Sequence, residues 1–498
     1  MSWYLGYVVA YFIFMFSLGF YYFTKVKTSD DYLIGGWNSG FWSIAGTLVS
    51  TFCGAAIFIG WMGMGYQVGV SGYFQFALPI VVCTLLLVIF FAKPLRRQKL
   101  YTLADLFSER FGGATGVVPA LLSAIVYAVP TLALQMVGMT TIWYTVFGLE
   151  ELTGLYLSAA LIVSFTILGG LPATIVTDAL QSVVLIAGII VMFVFVVNYA
   201  GGPETIIANT PREYLTPTGR QGLQHVLLFA LAAGPFYFVF QSTWQRIFAS
   251  KDEKTARNAG ITAALAVGVI TMFPFMIGTI SRSGDMVPAD INPDMIFSYL
   301  MVNLMPPVLG GIVVVGIMAA LMTGATSYVL QGSSNFTVDL YIRLYNPDAN
   351  DKNRMRASRI TVVIMVILGL IVAFKVTNIA MMYQWSLRLS AIVLIFPFFA
   401  VMFWKRCTKA GVQTSMILSC IAGLTYPYLN IPIDHTVFGL LVSLVTLVTV
   451  SLTTKHAASE QVRAVYWDDL DSAIRLSAAE VKEAEEEAVL TEDKKRRA

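Results

Sequence analysis

Long apolar runs, which recur along almost the whole chain, constrain its fold more than any other feature. A helix needs about 20 consecutive apolar residues to cross a hydrocarbon layer of about 30 Å. Because unpaired backbone groups are costly in lipid, such runs predict helices. Thirteen windows qualify, near residues 3–23, 42–66, 74–93, 117–147, 152–171, 176–199, 224–247, 259–281, 307–343, 357–376, 380–404, 410–429 and 434–454. The sequence therefore predicts an all-α polytopic membrane protein with about 13 transmembrane helices.

The composition limits the class of function. Apolar residues make up 57% of the 498 residues and charged residues 12%, which excludes an ordinary soluble domain. The net charge of +3 is too small to indicate a nucleic-acid partner, so we expect a lipid bilayer and no nucleic acid around the chain. No nucleophile with a neighbouring base, HExxH motif or phosphate-binding glycine loop appears, so we expect neither an enzyme nor a cofactor. Four cysteines without paired spacing predict no disulfide framework.

Lysine and arginine are concentrated in alternate connections between the windows. The basic connections lie at 25–27, 93–99, 246–257, 352–359 and 405–409, whereas the opposite set is poor in basic residues. By the positive-inside rule, the basic set and the C-terminus are cytoplasmic and the N-terminus is outside. We therefore predict a multi-pass protein of the plasma (inner) membrane. After about residue 455 a charged tail, 456–498, follows the transmembrane domain 1–455, and it is either solvated or a partner-docking or regulatory helix.

A pair of broken or polar-lined segments is predicted inside the membrane. Residues 43–66 are rich in glycine, and residues 307–345 contain the glycine- and hydroxyl-bearing sequence GIMAALMTGATS at 316–327. Segments that can unwind are tolerated in lipid only against protein or a wet cavity. Transporters keep their binding sites at such places. We therefore expect a transport site between these two segments.

Oxygen-bearing side chains fall on one stripe of the second segment. Thr323, Thr326 and Ser327 have the spacing i, i+3 and i+4, which suits a hard cation that needs several oxygen ligands. Hydroxyls in membrane helices also commonly bond back to the preceding turn. Asp178, an ionisable residue in a membrane window, is the candidate for the charged ligand. Its alternative role is to cap a helix start after the Gly-Pro turn at 169–172.

Several ordered motifs together resemble the sodium:solute symporter family. They are DDYLIGG at 30–36, TLADLFSERF at 102–111, GGLPATIVTDALQ at 169–181, WQR at 244–246 and the helix at 320–341. The resemblance covers essentially everything before the tail. It implies the LeuT-type architecture, with an extra helix at 3–23, inverted five-helix repeats at 42–199 and 224–404, and closing helices at 410–454.

The resemblance also implies where sodium binds. The positions of the principal site fall on Ser50, Cys53, Ala320, Thr323 and Gly324. Gly324 departs from the family pattern because it has no side-chain oxygen, so water or a neighbour must take that place. The positions of a second site match Asp178, Thr323, Thr326 and Ser327. Proton coupling through Asp178 is the alternative to sodium coupling.

Within the family, the chain resembles most closely the high-affinity choline transporter branch. The matching stretches are TFCGAA at 51–56, FAKPLR at 91–96, VPALLSAIVY at 118–127 and FQSTWQR at 240–246. The resemblance implies an aromatic cage for an ammonium group at Phe52, Tyr127 and Phe240, with Gln241 beside it. The alternative is that these rings are ordinary helix packing.

We therefore expect sodium-coupled import of a small organic solute by alternating access, with sodium as the coupling ion. The windows at 42–66 and 117–147 contain no Arg or Lys to pair a carboxylate. They also contain no Asp or Glu to pair a primary amine, which favours a ligand that is neutral or has a diffuse charge. Together with the resemblance to the choline transporter branch, this leads us to expect a cationic or neutral nitrogenous solute such as choline. The alternatives are a proton-coupled symporter of an amino acid, carboxylate or sugar, and a transporter-like ligand sensor.

Overall fold

The computed structural model describes residues 2–54, 56–283, 285–375, 379–429 and 432–455. Within these residues the chain is nearly all helical, and one isolated bridge pairs Ser39 with Ser250. The predicted tail at 456–498 lies outside the described residues.

The α-helices follow one another along almost the whole described chain. They are α1 Ser2–Lys25, α2 Ser29–Ile34, α3 Phe41–Phe52, α4 Met62–Val68, α5 Leu78–Phe90, α6 Ala92–Arg97, α7 Leu103–Phe111, α8 Val117–Leu121, α9 Val129–Phe147, α10 Glu151–Tyr199, α11 Pro203–Asn209, α12 Gly222–Ala233, α13 Gln241–Ala249, α14 Glu253–Ile270, α15 Met272–Ser283, α16 Ile296–Tyr299, α17 Pro307–Ser334, α18 Asp351–Ala373, α19 Ile379–Phe403, α20 Lys409–Thr425 and α21 His435–Thr453.

Short π-helical and 3₁₀ segments join several of these helices. The π-helical segments are Ala56–Trp61, Tyr73–Ala77, Leu122–Ala128, Leu300–Leu304 and Asn335–Tyr345. The 3₁₀ turns are Gly35–Trp37, Gly113–Gly116, Arg212–Tyr214, Pro235–Phe238, Pro293–Met295 and Tyr426–Tyr428. Irregular helix of this kind is common at functional sites in membrane proteins.

Helices occupy all of the thirteen predicted windows in the described part of the chain. Ten helical spans there are long and apolar enough to cross a membrane, and α3 is a shorter apolar helix. The 49-residue α10 counts as two windows because it turns at Gly170, whose φ of 57° and ψ of −153° are not helical. A Cβ there would lie 2.6 Å from Tyr32 Cδ2, so only glycine fits this turn. The predicted all-α polytopic fold is confirmed.

The buried centre of the bundle is α17. Most of its side chains are buried, and it packs against α10, α9 and α1. The outer helices α1 and α21 instead expose large apolar side chains such as Trp3, Ile13 and Leu452. Exposed apolar faces of this kind fit hydrocarbon surroundings.

Within the described residues two membrane helices are interrupted, and only one of the interruptions was expected. The first lies at Cys53 and Gly54, between α3 and α4, inside the glycine-rich segment. The second separates α12 from α13 at residues 234–240. By contrast, α17 runs without a break from Pro307 to Ser334, so this segment is polar-lined but not broken.

Candidate functional site

An oxygen cluster lies where the first interrupted helix meets α17. Thr323 Oγ1 donates a hydrogen bond of 3.0 Å to Ala320 O and one of 3.3 Å to Ser50 O, near the end of α3. All three residues are fully buried. Cys53 is the first residue after α3, and its amide also donates to Ser50 O, at 3.1 Å. One hydroxyl and two carbonyl oxygens from two helices thus meet at the break, and oxygen ligands are what a hard cation requires.

Gly324, the next residue of α17, faces a side chain that the sequence interpretation did not include. A Cβ at Gly324 would lie 2.8 Å from both Cδ and Oε1 of Gln135. Gln135 belongs to α9 and is 2% exposed. Its sequence signal is that it is the one amide side chain in the window at 117–147. The amide of Gln135 therefore occupies the place next to the oxygen cluster where Gly324 has no side chain.

Asp178 belongs to a buried ionic group. Its Oδ2 accepts a hydrogen bond of 2.8 Å from Thr47 Oγ1 and lies 3.2 Å from Arg246 Nη2. The same arginine nitrogen donates to Ser327 Oγ at 2.5 Å, and Arg246 Nε donates to Thr47 at 3.0 Å. The sequence interpretation counted Arg246 among the basic residues of a loop, whereas the structure buries it completely. The guanidinium therefore joins Asp178 to Ser327.

Asp178 Oδ1 is buried and has no hydrogen-bond partner among the described residues. Asp178 also lies about two helical turns after Gly170, so it does not cap a helix start. Thr326 is placed differently from Ser327. Its hydroxyl donates back to Met322 O and Thr323 O, each at 3.1 Å. Of the residues predicted for a second sodium site, the structure thus links Asp178 with Ser327 and ties the Thr326 hydroxyl to its own helix.

The three predicted cage residues lie in one aromatic cluster. The ring centroid of Phe240 is 6.0 Å from that of Phe52 and 5.5 Å from that of Tyr127. Phe240 is 1% exposed. Four further rings contact these three, and they belong to Phe236, Tyr237, Tyr328 and Tyr383. The cluster is closed in this structure, since its rings pack on one another.

Gln241 follows Phe240 at the start of α13. Its Oε1 accepts a hydrogen bond of 3.1 Å from Ser123 Oγ, and its Nε2 donates to Gln331 O at 3.3 Å. Gln331 donates in turn to Ser123, at 2.9 Å to its hydroxyl. Gln241 therefore fastens α13 to α17 and to the π-helical segment before α9, beside the aromatic cluster.

A cavity of about 350 Å³ adjoins the aromatic cluster. Its lining includes residues 59–67 after the break in the first interrupted helix, side chains of α9, residues 292–295 and Tyr383. Tyr383 also belongs to the cluster, and its hydroxyl lies 3.3 Å from that of Tyr237. Among the described residues that line the cavity, none is basic and one, Asp294, is acidic. Partial burial raises the pKa of Asp294 above its ordinary value.

Arginine side chains tie together helices that do not line the cavity. Arg96 Nε donates to Ser250 O at 2.5 Å, which ties α6 to the end of α13. Arg343 lies 2.5 Å from Asp105 and 3.0 Å from Asp339, and so it ties α7 to the segment after α17. These contacts involve helices other than those that line the cavity.

The sequence of this chain is similar to those of known transport proteins. The model of the Sodium:solute symporter family matches residues 32–419. The chain is 26% identical to the sodium/pantothenate symporter of Escherichia coli over 447 residues, which cover 85% of this chain and 90% of that protein. It is 24% identical to the osmoregulated proline transporter OpuE of Bacillus subtilis, over 91% and 95% of the two chains. These relatives are transporters rather than enzymes.

A solved structure shows the same fold. It is that of a Na⁺-coupled sialic acid symporter in a substrate-bound, outward-open state. The TM-score is 0.79 at 19% identity, and the match covers 92% of this chain and 99% of the other. The predicted LeuT-type fold is confirmed by this likeness.

Proposed function

The chain belongs to the sodium:solute symporter family, and from this membership we propose that it imports a small organic solute by coupling it to the entry of sodium. The observation that carries the proposal is the meeting of Thr323 Oγ1, Ser50 O and Ala320 O at the break after α3. Sodium bound among these oxygens, with the Cys53 carbonyl as a further predicted ligand, would hold the end of α3 against α17.

The position of Phe52 explains how sodium and solute would be coupled. Phe52 is the last residue of α3, only two positions after Ser50, and its ring belongs to the aromatic cluster. An ion that orders the helix end through Ser50 O therefore also positions the Phe52 ring. Coupling between two sites is reciprocal, so the solute would tighten sodium binding by the same factor.

The second sodium site, at Asp178, Thr323, Thr326 and Ser327, stays a prediction. The buried Asp178 Oδ1, which has no hydrogen-bond partner among the described residues, supports it. The guanidinium of Arg246 acts against it, because it already places a positive charge between Asp178 and Ser327. A second ion would therefore require Arg246 to move. The Hill coefficient of the sodium dependence distinguishes one ion from two.

For the solute, we propose a cationic or neutral nitrogenous compound, with choline as the first candidate. The cavity supports this proposal. Among the described residues that line it, Asp294 is the charged one, and its carboxylate would attract a cation. The aromatic cluster beneath it supplies ring faces for cation–π contacts once its rings separate. The names of the relatives, which concern pantothenate and proline, make these two solutes the necessary competitors in any test.

For the orientation, we propose that the N-terminus is outside and the C-terminus cytoplasmic. Connections rich in basic residues contact one another, since Arg97 pairs with Glu253 and the Ser29 amide donates to Asp351 Oδ1 at 2.8 Å. The proposed repeats, at 42–199 and 224–404, each begin with an interrupted helix. This correspondence supports the inverted-repeat assignment.

Uptake into proteoliposomes that contain the purified protein tests the proposal. Labelled choline, pantothenate and proline are each offered with an inward sodium gradient, with an inward proton gradient, and with neither. We expect choline uptake driven by sodium alone. Uptake driven only by protons would contradict sodium coupling, and preferred uptake of pantothenate or proline would contradict the choline-like assignment. Binding without counterflow of labelled solute would indicate a sensor.

A further inference from the structure

We propose that Gln135 supplies, through Oε1, the side-chain oxygen that Gly324 cannot supply, and so completes the principal sodium site. This inference rests on the proposed function and assigns a ligand outside the family pattern. It identifies the neighbour that fills the place left by glycine at position 324.

The first argument is the position of the Gln135 amide relative to α17. A Cβ on Gly324 would lie 2.8 Å from Gln135 Oε1 and 3.2 Å from Nε2. Real Cβ atoms essentially never approach other heavy atoms to less than 3.0 Å. The amide therefore occupies the space that any side chain at position 324 would enter. Gly324 directly follows Thr323, whose hydroxyl is part of the oxygen cluster.

The second argument is that a second glycine makes room for the same amide. A Cβ on Gly54 would lie 3.2 Å from Gln135 Nε2 and 3.3 Å from Oε1, tighter than nearly all real contacts. Gly54 lies at the break after α3, next to Cys53. The Gln135 amide thus lies between the two helices that provide the other oxygens, at a point where both helices lack a side chain.

The third argument is the chemistry of the amide group. Gln135 is 2% exposed, so its amide lies in the protein interior rather than in solvent. An amide oxygen is a hard, neutral ligand of the kind that alkali and alkaline-earth ions accept in proteins. It adds a ligand without adding charge, and it therefore replaces a serine or threonine hydroxyl without changing the electrostatics of the site.

The test removes the oxygen while keeping the length of the side chain. In Gln135→Met we expect the sodium concentration for half-maximal uptake to rise roughly tenfold, because one ligand is lost. The thermal shift that sodium chloride produces over potassium chloride in the purified protein should decrease in parallel. The matched control is Gln75→Met, which removes another buried glutamine amide, bonded to Gln221 at 3.1 Å. We expect its sodium response to equal that of the unmodified protein.

A double variant separates the oxygen from its position. Gln135→Ala with Gly324→Ser removes the amide and restores a hydroxyl on α17, so we expect it to recover most of the lost sodium affinity. Gly324→Ser alone must displace the amide and should weaken sodium binding. If Gln135→Met does not fold, Gln135→Glu keeps an oxygen and adds charge, and it should bind sodium more tightly.

The outcomes distinguish the inference from the proposed function. An unmodified protein without any sodium response would overturn both. A sodium response that is unchanged in Gln135→Met, unchanged in Gln135→Glu, or not recovered by the double variant would overturn the role of Gln135 and leave the symporter proposal standing.

Discussion

Arg246 and Asp178 form an ion pair in the interior of the helix bundle, with Nη2 and Oδ2 separated by 3.2 Å and both side chains buried. Thr47 contacts both partners, so the pair holds α10 and α13 against α3. Removing one partner of a buried pair leaves an uncompensated charge, which costs about 3–5 kcal/mol. Asp178 therefore contributes to the stability of this conformation, whether or not it binds an ion.

Asp178→Asn tests this structural role. We expect a clear decrease in the unfolding temperature of the purified protein, because Arg246 keeps its charge without a counter-charge. The double variant with Arg246→Gln should recover part of the loss. Asp290→Asn, a change at an exposed aspartate, is the matched control. An unfolding temperature equal to that of the control would show that the pair contributes little.

Thr323→Val tests the principal sodium site with little change in volume. The substitution removes the hydroxyl that lies between Ser50 O and Ala320 O, so we expect the half-saturating sodium concentration to rise about tenfold. Sodium titration of uptake measures it. In the control Thr140→Val, the hydroxyl that is lost bonds back to Met136 O within α9. If the two variants have the same half-saturating sodium concentration, Thr323 is not a sodium ligand.

Asp294 predicts a pH dependence of solute affinity. Burial raises the pKa of Asp294, so its carboxylate takes up a proton at a higher pH than an exposed aspartate. Its attraction for a cation is therefore present above that pKa and is lost as the external pH falls through it. We expect the KM for choline to rise on acidification. In Asp294→Asn the KM should be high and independent of pH, and an unchanged pH profile in that variant would contradict the prediction.

The positions of the membrane helices could be predicted because hydrocarbon allows few alternatives. Each apolar run in the described chain forms helix, and glycines at 54, 60, 63 and 65 indicated the interrupted segment. The interruption at 234–240 was missed, although Gly234 and Pro235 mark it, because the apolar run continues through it. Hydropathy reports burial in lipid and is insensitive to a local break.

Two neighbours of the predicted site residues, Gln135 and Arg246, could not be predicted from spacing alone. Gln135 and Gly324 are far apart in the chain, and their contact depends on how α9 packs against α17. Arg246 lies at the start of a basic stretch, and nothing local distinguishes it from its exposed neighbours. Only the packing of α13 against α3 shows that its charge is buried and paired with Asp178.

Gly170→Ala tests the turn that divides α10. Gly170 has a positive φ, and a Cβ would lie 2.6 Å from Tyr32 Cδ2 and 2.7 Å from Tyr32 O. We expect the free energy of unfolding to decrease by about 1–3 kcal/mol because of backbone strain. The collision of the new Cβ with Tyr32 should decrease it further. Thermal unfolding measures it. The control is Gly6→Ala in α1, where a Cβ would meet nothing within 4 Å and alanine favours the helix.

Phe240→Leu tests whether the aromatic cluster recognises a cation. The ring of Phe240 contacts those of Phe52 and Tyr127 and lies at the centre of the cluster. Leucine keeps most of the apolar volume and removes the ring, so a cationic solute should lose one cation–π contact, about 0.5–2 kcal/mol or up to about thirtyfold in affinity. Phe240→Trp should keep the affinity, although the closed cluster must open to admit the larger ring.

Phe248→Leu, which changes a buried ring stacked on Trp244, controls for the loss of packing alone. Equal choline affinity in the Leu and Trp variants, measured by competition with labelled solute, would contradict recognition by the rings.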